Sequence, residues 1–213
     1  MTLLGLFYIS FLIGLTGAMA PGPLLTVTIG ESIKRGGGAG PFLALGHSLL
    51  EFFLLLLILF GFTKWLRGDT VYGIIALFGG VVLICMAIST IKAIPAYTLK
   101  KEPVTKHRGS HPFFLGAIIT LSNPYWFIWW FTIGTGYLLF AKDFGLVGVV
   151  LFFLGHILSD FAWYSFVSYG VSFGGKSINT RILRIVLFFL CLFILFLAFA
   201  FLYKGLKLLF ILP

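Results

Sequence analysis

Two short segments of an otherwise apolar sequence carry ionisable side chains in the same arrangement. The segment "GHSLLE" at residues 46–51 and the segment "GHILSD" at residues 155–160 share the pattern Gly-His-x-Leu-x-acid. The histidine and the acid are four residues apart, so on a helix they share one face and each imidazole can pair with its carboxylate. Such a pair can take up and release a proton. The candidates for proton or ion coupling are His47, Glu51, His156 and Asp160.

Two other interpretations of these four residues remain open. They could form satisfied polar pairs whose role is to fix helix packing. They could also bind a divalent metal cation, since two imidazoles and two carboxylates that meet would offer mixed nitrogen and oxygen ligands. Nothing in the sequence resembles a catalytic triad, and "GGGAG" at residues 36–40 lacks the Lys and Ser/Thr of a phosphate-binding loop. We therefore predict no enzymatic activity and no cofactor.

Two of the apolar runs contain residues that interrupt a helix, "PGP" at residues 21–23 and "NP" at residues 123–124. Proline removes a backbone donor, and in lipid the freed backbone groups need a protein partner or a water-filled cavity. The half-helices beyond the two breaks would direct N–H groups and positive dipole ends inward, where they can hold a carboxylate. A packing kink is the alternative. The candidate substrate-binding residues are Pro21, Gly22, Pro23, Thr26, Asn123, Pro124 and Trp126.

Three tryptophans follow the second interruption closely, at Trp126, Trp129 and Trp130. The favoured interpretation is an aromatic belt at the membrane–water interface. The alternative is a ring face that receives the ammonium group of a substrate, and Trp126 is the candidate for that role.

The composition indicates an integral membrane protein that is helical throughout. Of 213 residues, 60% are hydrophobic and only 10% are charged, and the mean hydropathy is +1.12. A transmembrane helix needs about 20 apolar residues, and six continuous runs reach that length. The predicted spans are Leu3–Ile29, Ala39–Thr63, Val71–Pro95, Phe113–Phe140, Phe144–Phe173 and Ile182–Phe210. Glu51 and Asp160 fall near the centres of their runs, where an ionisable group costs a few kcal/mol and is a functional candidate.

The two Gly-His-acid segments and the two breaks predict an internal repeat of three helices plus three. Each half reads as a broken helix, a Gly-His-acid helix and a plain helix. Because each half has an odd number of spans, the halves cross the membrane in opposite senses, as in many secondary transporters. We predict an all-α, polytopic fold with six transmembrane helices as an inverted 3+3 repeat. It forms a single transporter domain at 1–213, with repeat one at 1–98, a basic linker at 99–111 and repeat two at 112–213.

The distribution of Lys and Arg predicts the orientation in the membrane. Short loops rich in these residues stay in the cytoplasm, which assigns the loops at 30–38, 96–112 and 174–181 to that side and both termini to the outside. The net charge of +9 then reflects membrane topology and not nucleic-acid binding. The two cysteines, Cys85 and Cys191, lie singly in the third and sixth runs. We expect both to be buried as small apolar residues.

The chain resembles the LysE/RhtB-type amino-acid exporters along its full length. The matching residues are the Pro-Gly-Pro at 21–23, Gly36 and Gly40 in the glycine-rich turn, Gly46 with an acid after it, and the Asn-Pro at 123–124. The resemblance implies export of an amino acid or similar zwitterion across a prokaryotic plasma (inner) membrane, driven by protons. The partners would be this solute, a coupling ion and the lipid bilayer, and a homodimer is one assembly the chain could form.

The sequence also departs from that family at two positions. Many relatives follow Asn-Pro with Lys, where this chain has Tyr125, and many have Gly-Asp in the second helix, where this chain has Gly46-His47. The charge of the site can therefore differ from that of other members. The wider superfamily that the chain resembles includes divalent-cation exporters and thiol-disulfide electron carriers, which are the alternative functions, together with a purely structural subunit.

Overall fold

The computed structural model describes residues 2–61, 69–96, 110–174 and 179–211, and these residues form helices joined by short turns. They contain no β-strand, which confirms the predicted all-α class for this part of the chain. The predicted basic linker at 99–111 lies outside the described residues except at its last two positions. The helices are α1 (Leu3–Ala18), α2 (Pro23–Arg35), α3 (Ala39–Leu59), α4 (Asp69–Ala93), α5 (Pro112–Leu121), α6 (Pro124–Trp129), α7 (Thr135–Lys142), α8 (Gly145–Phe173) and α9 (Thr180–Leu206). A 3₁₀ turn at Ile94–Ala96 follows α4, and π-helical turns occupy Trp130–Gly134 and Lys207–Ile211.

Four helices are long and apolar enough to cross a membrane, namely α3, α4, α8 and α9 with the turn that extends it. The pair α1 and α2 makes a fifth span if the two are counted together. The predicted fourth span, Phe113–Phe140, is divided among α5, α6 and α7, and α5 has only 10 residues. The described residues therefore support four or five spans by length and composition, and the six-span repeat stays a prediction.

The first interruption lies where the sequence predicts it. The axes of α1 and α2 meet at 77°, and α2 begins at Pro23, where the missing N–H costs nothing because the first helical N–H has no partner within the helix. The predicted end of this run at Ile29 is wrong, since α2 continues to Arg35. Its extra turn contains Glu31, whose carboxylate accepts hydrogen bonds from Lys34 at 2.9 Å and Arg35 at 2.6 Å.

The second interruption is also present, and it is capped by a side chain. The helix α5 ends at Leu121, and the Oδ1 atom of Asn123 accepts a hydrogen bond of 3.1 Å from the backbone N–H of Tyr125 at the start of α6. An asparagine directly before proline at the first helical position is a strong helix start. The chain then passes from α6 through the π-helical turn into α7.

Three helix pairs account for most of the packing: α1 on α8, α3 on α5, and α4 on α9. The two helices that carry the acids, α3 and α8, also pack on each other. Glycines allow two of these close approaches. A Cβ atom at Gly46 on α3 would clash with the carbonyl of Phe113, and a Cβ atom at Gly155 on α8 would clash with the carbonyl of Phe7. The glycine of each Gly-His-acid segment therefore sets the distance to a neighbouring helix.

This packing predicts an unequal response to two alanine substitutions on α8. Gly155→Ala places a methyl group against the backbone of α1, and we expect it to lower the free energy of unfolding by about 1–3 kcal/mol. Gly170 lies on the same helix with open space around its Cα, so Gly170→Ala is the matched control and should be neutral. The unfolding midpoint in detergent measures both variants. Equal midpoints for the two would contradict the proposed packing role of Gly155.

Candidate functional site

The four predicted coupling residues converge on one buried point between α3 and α8. The Oε1 atom of Glu51 lies 3.0 Å from Nε2 of His156 and 3.2 Å from Nε2 of His47. The Oδ2 atom of Asp160 lies 3.7 Å from Nε2 of His47 and 3.8 Å from Nε2 of His156. All four side chains are buried. The two pairs on separate helices therefore form a single cluster of two carboxylates and two imidazoles.

The pairing inside this cluster differs from the simple prediction of one imidazole for each carboxylate. Both imidazoles lie against Glu51, and the contact of His156 with Asp160 on its own helix is longer than a hydrogen bond. Two carboxylate oxygens, Oε2 of Glu51 and Oδ2 of Asp160, are buried without a hydrogen-bond partner among the described residues. Buried carboxylate oxygens normally have partners. These two oxygens therefore have capacity to bind a further donor.

Two tryptophans complete the surroundings of Glu51. The indole N–H groups of Trp126 and Trp130 donate to its Oε1 atom at 3.1 Å and 2.9 Å. Trp129 stacks on the ring of His156 with a centroid distance of 4.6 Å. All three indoles are buried, so the expected aromatic belt at the membrane interface is wrong here. The physical reason is that a buried carboxylate needs donors, and α6 with the turn after it supplies them.

Hydrogen bonds around Thr120, next to Nδ1 of the ring, constrain the protonation of His47. The hydroxyl of Thr120 donates to the carbonyl of Gly116 at 2.7 Å, and the Oγ1 atom of Thr120 lies 2.7 Å from Nδ1 of His47. When the hydroxyl proton is directed to that carbonyl, Nδ1 of His47 is the atom that carries a proton and donates it to Thr120. The contact between Nε2 of His47 and Glu51 is then attractive only if one of these two atoms is protonated. That contact is therefore a place where one exchangeable proton can reside.

Two neighbouring cavities connect the cluster with the helix breaks. The larger cavity, about 160 Å³, is bordered by the break at 20–23, by the start of α2 and by part of α9. The smaller, about 60 Å³, is bordered by all four cluster residues and by Trp126 and Trp129. The cavities share five wall residues, which are Gly17, Leu24, Asn123, Tyr125 and Tyr164. A solute held at the breaks would therefore lie next to the two carboxylates.

The structure brings most of the predicted substrate-site residues to these cavities. Pro21, Gly22 and Pro23 border the larger one, Asn123 borders both, and Trp126 borders the smaller. Thr26 borders neither. It is buried, and its hydroxyl donates to the carbonyl of Gly22 at 3.1 Å. Pro124 is the first residue of α6.

Sequence reasoning missed three aromatic residues of the site. Tyr164 borders both cavities, and it follows Asp160 by one helical turn on the same face of α8. Trp130 follows Trp126 by the same spacing and binds the same oxygen of Glu51. In both cases the sequence contained a usable signal, because residues four positions apart lie on the same face of a helix. Tyr125 also borders both cavities, and it occupies the position where the sequence departs from its relatives.

The arrangement also satisfies the geometric requirement of a cation site. Ligand atoms of His47, Glu51 and Asp160 all lie within 4.8 Å of one another. One imidazole and two carboxylates form a donor set that suits borderline or hard divalent cations. The cysteines offer no comparable site. Both are free thiols, with Cys191 buried on α9 but Cys85 exposed on α4, so the expectation that both are buried is wrong for Cys85.

Comparison with known proteins gives one match. A protein-family model described as LysE type translocator matches residues 15–205 of the chain. No curated protein and no solved structure matches it. The matched range includes both helix breaks and the whole histidine–carboxylate cluster.

The environment of Glu51 predicts a specific loss of stability. Trp130→Phe keeps an aromatic ring and removes one N–H donor to the buried carboxylate, which we expect to cost about 1–3 kcal/mol. Trp163 on α8 is the matched control, because its Nε1 atom has no hydrogen-bond partner in the described parts of the chain. Trp163→Phe should leave the unfolding midpoint in detergent unchanged. A midpoint for Trp130→Phe equal to that of the control would mean that the indole does not stabilise Glu51.

Proposed function

The chain belongs to the LysE type translocator family, and from this premise we propose that it is a secondary-active exporter of an amino acid or related small zwitterionic solute, coupled to proton movement. The family consists of translocators, which are transport proteins and not enzymes. The observation that carries the proposal is the shared wall of the two cavities, because it puts a solute-sized space beside paired carboxylates that can exchange a proton.

The solute carboxylate would bind at the start of α2. The first N–H groups of a helix lack partners within the helix and attract anions, and Leu24 and Leu25 at this end border the larger cavity. The ammonium group would point into the smaller cavity. There it would meet the two carboxylate oxygens of Glu51 and Asp160 that have no hydrogen-bond partner among the described residues. A zwitterion thereby satisfies both ends of the site.

Coupling would act through Glu51, because its contacts come from both halves of the chain. Its Oε1 atom contacts His47 on its own helix, together with Trp126, Trp130 and His156 from the second half. A proton or a substrate ammonium at this carboxylate weakens or replaces those contacts. The halves would then move relative to each other and expose the site to the opposite side of the membrane, as in alternating access.

We extend the proposal to an inverted repeat of three helices plus three, in which α5 to α7 form the fourth span. The way in which helices of one half pack on helices of the other half supports this proposal. The first helix of each half packs on the Gly-His-acid helix of the other half, as α1 does on α8 and α5 on α3, and the last helices α4 and α9 pack together. In both cases the short distance between the two helices is set by the glycine of the segment, Gly155 or Gly46. A pseudo-two-fold axis in the membrane plane that relates the two halves would produce these helix pairs.

We further propose a prokaryotic plasma membrane, with the basic loops in the cytoplasm and both termini outside. Support comes from the ends of the helices. An apolar cluster that includes Ile29, Ile94, Val171 and Leu183 joins the middle of α2, the turn after α4 and the end of α8 to the start of α9. Arg184 beside this cluster donates to the carbonyl of Pro95 at 2.7 Å. These contacts support the proposal that the three basic loops lie on one side of the membrane, in keeping with the positive-inside rule.

A second candidate function, export of a divalent metal cation, is favoured by the clustering of His47, Glu51 and Asp160 ligand atoms within 4.8 Å. In that case the cation would be the cargo, and the carboxylate oxygens that lack partners would complete its ligands. The first proposal has the additional support of the larger cavity, whose size exceeds the need of a single ion.

Reconstituted protein tests the coupling role of the two acids. We expect Glu51→Gln and Asp160→Asn to reduce proton-driven amino-acid transport in proteoliposomes at least about tenfold, which corresponds to about 1.4 kcal/mol of lost stabilisation. The readout is the rate for each proteinogenic amino acid under imposed pH gradients of either sign. Asp143→Asn, an exposed acid at the end of α7, is the control and should transport at the wild-type rate. Variants that match wild type at every gradient would exclude the proton role.

Calorimetric titration separates the two candidate functions. We expect the purified wild-type protein to give saturable binding heat with a transported amino acid and none with Zn²⁺ or Mn²⁺, because both imidazoles already contact Glu51. His47→Gln is the matched variant, since it removes one nitrogen ligand of the candidate cation site. Stoichiometric metal binding by wild type that is lost in His47→Gln would favour cation export instead.

A further inference from the structure

The two cavities differ sharply in the character of their walls. The smaller one is bordered by two carboxylates and two imidazoles. Among the described residues that border the larger one there is no Asp, Glu, Lys, Arg or His, and the polar side chains are Asn123, Tyr125 and Tyr164. Its apolar wall residues include Phe193 and Leu197 on α9 and Leu25 on α2. The site therefore has a charged end and an uncharged, largely apolar end.

This polarity restricts what the larger cavity can hold. A charged group placed against its α9 wall, away from the N–H groups at the start of α2, would lose its hydration without gaining a counter-charge, which is costly in a membrane interior. The nearest carboxylates, Glu51 and Asp160, lie in the smaller cavity, and each has both imidazoles within 4 Å. An apolar group would instead gain from contact with Phe193, Leu197 and Leu25, because its apolar surface is removed from water there. The wall therefore favours an uncharged aliphatic group.

The size of the larger cavity limits the group further. An apolar protein cavity of about 150 Å³ accommodates benzene, which has six carbon atoms. The cavity beside α9, at about 160 Å³, is of the same size and is below the roughly 300–1,000 Å³ of sites for drug-sized ligands. Because the solute carboxylate at the start of α2 would occupy part of this space, a branched side chain of three or four carbons fits the remainder, whereas a phenyl or indole ring does not.

From these observations we propose that Phe193 and Leu197 of α9, with Leu25 of α2, form a side-chain subsite that selects amino acids with an uncharged aliphatic side chain of leucine size. The inference rests on the proposed function and adds the substrate class. In this arrangement the charged groups of the solute remain at the start of α2 and at the acid cluster, and its side chain extends toward α9. The helix α9 thereby determines specificity, although it contributes no charged residue to the site.

Transport rates of leucine, glycine, lysine and phenylalanine in proteoliposomes test the subsite. We expect wild type to transport leucine at least about tenfold faster than lysine. Leu197→Trp fills the cavity and should lower the leucine rate about tenfold relative to glycine, whose side chain needs no such space. Phe193→Ala enlarges the cavity and should raise the rate of phenylalanine relative to leucine. This second variant decides the question if Leu197→Trp does not fold.

Two exposed residues of the same helix provide matched controls. Leu192→Trp and Phe189→Ala introduce the same changes away from the cavity wall. Both should transport the four amino acids at the same relative rates as wild type. The proposed subsite is wrong if wild type transports lysine faster than leucine. It is also wrong if Phe193→Ala and Leu197→Trp still transport amino acids but show the same relative rates as Phe189→Ala and Leu192→Trp. Absence of transport of every amino acid by wild type is a different result, because it overturns the proposed function itself.

Discussion

One buried carboxylate, that of Glu51, constrains the arrangement of the surrounding helices. A carboxylate in a membrane interior costs several kcal/mol unless it is paired and hydrogen-bonded. Its donors come from α6, from the π-helical turn after it and from α8, so these elements must all reach the same oxygen atom. The cost of leaving the carboxylate unpaired therefore links the two halves of the chain at a single point. A group that binds there competes with that link, which makes the carboxylate suited to a conformational change.

The same physical requirement explains the two helix breaks. A broken helix in lipid exposes backbone groups that must find partners, and here local side chains supply several of them. Asn123 caps α6, Thr26 donates to the carbonyl of Gly22, and Ser122 donates to the carbonyl of Ile118 at 2.8 Å. The groups that remain at the start of α2 face a cavity. The breaks and the carboxylate cluster are therefore neighbouring parts of one polar region inside an apolar protein.

The two helices α4 and α9 are held together by a different kind of contact. The interface of α4 and α9 is built from apolar residues such as Leu83, Ala87 and Ile194, and the side chains that the structure describes there include no buried charge. Apolar surfaces gain little from association in lipid, so close packing at small residues has to hold such a pair together. Gly80 and Gly205 lie at close approaches between these two helices. Phe193 and Leu197 of α9 border the larger cavity.

The sequence by itself determined the membrane class, the positions of both breaks and the residues of the charged cluster. Hydropathy, proline and the spacing of four residues act within one helix, so they can be read without knowing its neighbours. Packing between helices decided the rest. It gave Glu51, and not Asp160, contacts of hydrogen-bond length with both imidazoles. It also buried Trp126 and Trp130 against that carboxylate, and it turned Thr26 away from the cavities while Phe193 came to border one. These contacts join residues far apart in the chain, and a local pattern does not specify which faces of distant helices meet.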